Sequence, residues 1–197
     1  MNIHTLLGII SPVICAIAYI PYLVSIHKNR IKPHPFSWLL WAILGLVTLI
    51  TYTAVGAKET IPLAALNFAG PFFIFLFTIK YWKGPFPLFD YVCMGFSLIA
   101  IVVYILFHAA ALALTINLAG DLFAALPTIR KTYHDPLSEE LSTWLLFGVG
   151  AVVSLFAITE YSYGVLIFPL YLTIYEFSMS LLIICGRLKK SRIHNRK

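Results

Sequence analysis

The chain has 197 residues, of which 60% are hydrophobic and only 11% charged, with a formal net charge of +6. A mean hydropathy of +0.90 excludes an ordinary water-soluble domain, whose charged fraction is about 25%, and points to an integral membrane protein. The positive surplus is not a nucleic-acid footprint, because it sits in short stretches between apolar runs and in a basic tail, and no nucleic-acid partner is expected.

A helix needs about 20 largely apolar residues to cross a hydrocarbon core of about 30 Å. Runs of that length lie at 5–27, 36–55, 60–80, 88–108, 111–133, 141–159 and 162–186. The first opens in MNIHTLLGII, which lacks the basic leader and small-residue cleavage site of a signal peptide, so it reads as a span. It carries Cys15 and, near its end, Pro21. The second follows KPHPFSWLLW, where His34 is placed to cap the helix or gate its mouth. The third starts beyond Glu59 and holds Asn67 and Pro71. The fourth begins around Asp90, carries Cys93 and stops at His108. The fifth holds Asn117, Asp121 and Pro127, the sixth carries Trp144 near its start, and the seventh follows Glu160 and carries Pro169, Glu176 and Cys185. Glu59, Asp90 and Glu160 fall at helix ends and are expected to be solvated, as is His108. The three cysteines lie inside apolar runs without CxxC or ligand-like spacing, so no disulfide, metal or cofactor is expected.

Positive residues accumulate in cytoplasmic loops. With the N-terminus outside, thirteen of the fourteen Lys and Arg residues fall inside: Lys28, Arg30 and Lys32, then Lys80 and Lys83, then Arg130 and Lys131, then six from Arg187 to Lys197. Lys58 alone stays outside. Seven spans, N-out and C-in, follow from that bias, and the tail GRLKKSRIHNRK serves as a topology determinant near anionic lipid.

The sequence also repeats itself. At an offset of 106, Pro21 meets Pro127, Ser37 meets Thr143, Trp38-Leu39-Leu40 meets Trp144-Leu145-Leu146, and Thr48 meets Ser154, without a gap. The repeating unit is three helices, and a single helix between two such units lets both cross the membrane in the same direction. The expected fold is therefore all-α and integral to the membrane, two parallel three-helix repeats (1–84 and 111–186) joined by a linker helix (85–110) and followed by the tail 187–197. Parallel repeats of this kind belong to transporters with a site between the repeats near the midplane.

A proline near the cytoplasmic end of the first helix, a short basic loop and a Ser/Thr-led second helix, all repeated in a three-plus-one-plus-three chain, resemble the PQ-loop superfamily that includes the SWEET sugar transporters. The namesake Pro-Gln is Pro21-Tyr22 and Pro127-Thr128 here, and the KPHxxSWxxW form looks most like uncharacterised bacterial seven-helix members. The resemblance implies a bacterial cell (inner) membrane, a small-molecule solute such as a sugar, amino acid or vitamin, and hinge-like prolines for alternating access. Relatives of the same architecture also act as sorting receptors.

Ionisable groups inside a bilayer are costly and mark functional sites by default. Asp121 lies nine residues before Arg130 and Glu176 eleven before Arg187, which at ~1.5 Å per residue puts both ~13 to 17 Å from the cytoplasmic anchor. Two acids without an intramembrane Lys or Arg must protonate, meet a cation or face water, so both are candidate substrate and proton-coupling groups. Asn117 is one turn from Asp121, Asn67 sits at similar depth, and Thr173, Glu176 and Ser180 share a face. Trp41 and Phe147, equivalent in the repeat, are expected to line the path, and Pro21, Pro127, Trp38 and Trp144 to form gates or hinges. Trp38 and Trp144 equally suit an interfacial aromatic belt. No HExxH, GxSxG or DxD motif is present, so an enzyme is not expected. The leading reading is a transporter of a small polar solute, working as a monomer or homo-oligomer, with protons a candidate partner. The alternative is a SWEET-fold receptor or sorting module that holds a ligand without moving it.

Overall fold

A computed structural model describes the backbone at residues 2–31, 33–81, 88–107 and 109–194. Lys32, Lys83, His108 and Lys197 lie outside the described residues, as do the side chains of Asp90 and Cys93. Among the described residues there is no strand. The helices are α1 (Ile3–His27), α2 (Pro35–Ala54), α3 (Ile61–Thr78), α4 (Leu88–Phe107), α5 (Ala110–His134), α6 (Leu141–Ala157) and α7 (Tyr163–His194), with a 3-10 turn at Ile79–Tyr81 after α3. Their ends fall within two residues of the expected apolar runs, save that α7 continues into the basic stretch beyond 186. Among the described residues, α1, α2, α3, α5 and α7 are long and apolar enough to cross a membrane. The 17 residues of α6 reach about 25 Å.

Helix starts follow from local chemistry. Asn2 caps α1, its Oδ1 accepting the N–H of Thr5 at 2.7 Å. His34 is the N-cap of α2, with Nδ1 3.4 Å from the N–H of Ser37 that it accepts, and Pro35 opens the first turn, where its missing N–H costs nothing. The chain turns between α2 and α3 at Gly56, whose φ of +89° is open to glycine and strained for other residues.

The apolar surface faces outward as well as inward. Ile9, Val13, Ile17 and Ile20 form an exposed stripe along α1, and Phe72, Phe73, Leu76 and Phe77 do the same on α3. Such faces are stable against lipid tails and unstable against water. The helices pair in a definite pattern: α3 lies against α2 and touches α1, while α7 lies against α6 and touches α5. The two groups meet where α1 runs along α6 and α2 along α5, and α4 packs chiefly on α5. Two hydrogen bonds hold these contacts at corresponding places. Ser11 Oγ on α1 donates to Gly150 O on α6 at 2.8 Å, and Asn117 Nδ2 on α5 donates to Leu44 O on α2 at 3.0 Å. Both the donors and the acceptors are 106 residues apart.

Prolines inside the helices free carbonyls that neighbouring helices use. Pro169 cannot donate to Val165 O, and Tyr52 OH from α2 donates to that carbonyl at 2.8 Å while sharing a second hydrogen bond with Thr60 Oγ1 at 2.8 Å. Tyr52 is fully buried, so Tyr52→Phe leaves a carbonyl and a hydroxyl without their partner. The expected cost is about 1–3 kcal/mol, read as a lower melting temperature in detergent with unchanged helical circular dichroism at low temperature.

Candidate functional site

A narrow cavity, open on one side, lies between the two helix groups: its non-atom space is about 590 Å³ counting open solvent, and the room it leaves for water-sized groups is about 60 Å³. Six helices line it. Cys15 and Tyr19 come from α1, Trp38 and Trp41 from α2, Asn67 and Pro71 from α3, Asp121 from α5, Trp144 and Phe147 from α6, and Leu172, Tyr175 and Glu176 from α7.

Asp121 and Glu176 thus share one cavity. Asp121 is buried, and its Oδ2 accepts from Tyr171 OH at 2.7 Å. Glu176 is 8% exposed, and its Oε2 has no hydrogen-bond partner. No Lys, Arg or His stands among the lining residues described. The ring of Trp41 meets Trp38 at 5.0 Å, Trp144 at 6.3 Å and Tyr175 at 6.3 Å, all edge to face. Trp144 also meets Tyr175 at 5.8 Å, and Tyr171 lies parallel to Tyr175 at 6.0 Å. These geometries suit aromatic quadrupoles, and they gather rings on the cavity wall near the starts of α2 and α6. Trp41 Nε1 and Tyr175 OH have no partner.

The structure sorts the residues singled out from the sequence. Asn67, Trp41, Phe147, Asp121 and Glu176 line the cavity, with Trp38 and Trp144. Asn117 does not: it is fully buried in the α2–α5 contact, where Nδ2 donates to Leu44 O and to Thr48 Oγ1 at 2.7 Å. That is interhelical binding, not a solute contact. Thr173 and Ser180 donate to carbonyls of their own helix, Pro169 O at 2.8 Å and Glu176 O at 3.0 Å, so the polar face on α7 reduces to Glu176. Pro21 and Pro127 lie within α1 and α5 but outside the lining, whereas Pro71 is part of it. Trp38 and Trp144 are 3% and 2% exposed, which rules out the lipid-facing aromatic belt for both.

No family model matches the chain, and neither a curated protein nor a solved structure does.

Glu139 was not legible as a site residue. It precedes α6 and is fully buried beside the aromatic rings. Its Oε1 accepts from the Lys131 ammonium, and its Oε2 from Trp144 Nε1 at 3.2 Å. Tyr22 OH accepts from Trp38 Nε1 at 3.2 Å. Each of the two tryptophans thus has its indole N–H bonded, Trp144 to Glu139 and Trp38 to Tyr22. The surrounding connection is held from α7, where Arg187 Nη2 donates to Glu139 O at 2.8 Å and Lys190 pairs with Asp135 at 2.9 Å, and from α1, where Ser25 Oγ donates to Glu140. The available signal was an acidic pair, Glu139-Glu140, eight residues after a lysine on the basic side of the chain.

Proposed function

We propose that the protein is a membrane transporter that moves a small polar solute by alternating access between two three-helix units, 1–84 and 111–186, joined by the linker 85–110, with the N-terminus outside and the C-terminus in the cytoplasm of a bacterial cell. The observation that carries the reading is the cavity itself: every helix of both units contributes to its wall, and it holds two buried carboxyls. A site between units that can rock against each other is the arrangement alternating access requires. The paired contacts of α1 with α6 and α2 with α5, and the matching bonds of Ser11 and Asn117, support a duplicated unit. With the sequence pattern, they support the PQ-loop or SWEET-like resemblance.

In this reading Asn67, Asp121 and Glu176 face the solute, and Asp121 and Glu176 are the proton-coupling candidates. Trp38, Trp41, Trp144 and Tyr175 close the cytoplasmic end, with Pro21 and Pro127 the weak points behind them. Asn117 holds the units together rather than binding.

The test is counterflow uptake in proteoliposomes over a panel of sugars, amino acids, nucleosides, amines and vitamins at two pH values. The expected result is uptake of one class that falls at least about tenfold in Asp121→Asn and Glu176→Gln, a loss of 1.4 kcal/mol or more. A folded parent that binds a solute and moves none of the panel would sink the transporter reading and favour a receptor.

A further inference from the structure

We infer that the cavity is built for a small organic cation, a primary to quaternary amine, with its charged head among Asp121, Glu176 and the faces of Trp41 and Tyr175. The inference rests on the reading of this cavity as the solute site. It concerns binding, and stands or falls separately from flux.

Charge is the first argument. Two carboxyl groups enter one apolar space whose described lining has no basic side chain. Burying a charged carboxylate without a counter-ion costs several kcal/mol, so without a cation the site is held by protonated acids, and the partnerless Oε2 of Glu176 marks the place a cation would take on their ionisation. An ammonium head meets that need. An anion would be repelled by both groups.

The second argument is the wall. A cation is attracted to the face of an indole or phenol ring within about 6 Å, most strongly where water is excluded. Trp41 and Tyr175 border the cavity, and Tyr171 stacks parallel to Tyr175 while its hydroxyl holds Asp121; the unpaired Trp41 Nε1 is a donor only and would serve an acceptor on the ligand, such as a hydroxyl, and not its cationic head. Acids with aromatic faces make a cage for a cation whose head is methylated as readily as for a bare ammonium. A metal ion fits poorly, since it needs several oxygen ligands in a compact shell and rings supply none. A polyol needs donors and acceptors around its whole rim, and Asn67, the two carboxyls, Tyr175 OH and Trp41 Nε1 could supply some of them, which makes glucose the competing probe.

The experiment measures binding to the purified full-length protein in detergent, by calorimetry and by the emission of Trp38, Trp41 and Trp144. The probes are choline, ethanolamine and tetramethylammonium, with 3,3-dimethyl-1-butanol as the uncharged counterpart of choline and glucose as a polyol. The expected result is that at least one of the three cations binds, that its neutral counterpart or glucose binds at least about tenfold more weakly, and that Asp121→Asn, Glu176→Gln and Trp41→Leu each weaken the cation at least about tenfold. Melting curves without ligand confirm that the variants fold. Binding of none of the cations, equal binding of 3,3-dimethyl-1-butanol or glucose, or cation binding indifferent to both carboxyl changes would each overturn the inference. Cation binding without uptake leaves it intact and defeats transport. Uptake of a neutral solute without cation binding does the reverse.

Discussion

Glu139→Ala is expected to destabilise the protein by about 1–3 kcal/mol, the cost of removing a buried acceptor and leaving the Trp144 indole N–H unsatisfied. Two groups bond to this carboxylate, the Lys131 ammonium and the Trp144 indole N–H. Trp144 is 2% exposed and the Glu139 side chain not at all, so water does not readily replace the bond the indole loses. Thermal or denaturant unfolding in detergent, followed by tryptophan emission, measures the effect. Glu160→Ala is the comparison, because its ion pair with Lys58 has side chains 79% and 67% exposed, and such pairs contribute little. Equal losses in the two variants would refute the buried network. Because Glu139 bonds Trp144, which lines the cavity, Glu139→Gln, which keeps shape and one acceptor, is expected to be milder in stability yet to loosen Trp144, seen as a shift in emission.

Gly45→Ala should also be costly, by about 1–3 kcal/mol as overpacking of a tight contact. A Cβ at Gly45 would lie 2.5 Å from Asn67 O and 2.9 Å from Phe68 Cα. Both atoms are backbone, so no side chain can turn aside, and α2 must move from α3. The cause is again a proline: Pro71 cannot donate to Asn67 O, and the uncovered carbonyl points at the one α2 residue small enough to meet it. Because Asn67 and Pro71 line the cavity, separation of α2 from α3 should disturb ligand binding as well as stability. Gly95→Ala is the control, for a Cβ there meets nothing within 4 Å among the described residues, and alanine is the better helix former by about 1 kcal/mol. If the two alanine variants melt alike, the close α2–α3 approach is wrong.

The seven helices and their limits follow from the chain alone because a bilayer imposes one length on every apolar run, and because Pro35 and the charges at Lys28, Lys58 and Arg130 punctuate those runs. The 106-residue repetition was equally readable, since prolines and tryptophans are rare enough to hold a register. Asp121 and Glu176 stood out for the same reason, as charges where the solvent permits few. The partition of the remaining polar groups was not readable. Asn67 and Asn117 have the same chemistry at similar depth, but one faces the cavity and the other binds Leu44 and Thr48. Trp38 and Trp144 suited an aromatic belt, and only the approach of Tyr22 and Glu139 shows why they turn inward. In water the apolar stripe of a helix tells which face is buried. In lipid every face is apolar, so the inward face is chosen by small residues, freed carbonyls and hydrogen bonds to helices distant in the chain. Sequence thus determined how many helices there are, where they end and which residues are chemically exceptional. Tertiary structure decided which of those share a cavity, because that depends on contacts between α1 and α6 and between α2 and α5 that no local pattern encodes.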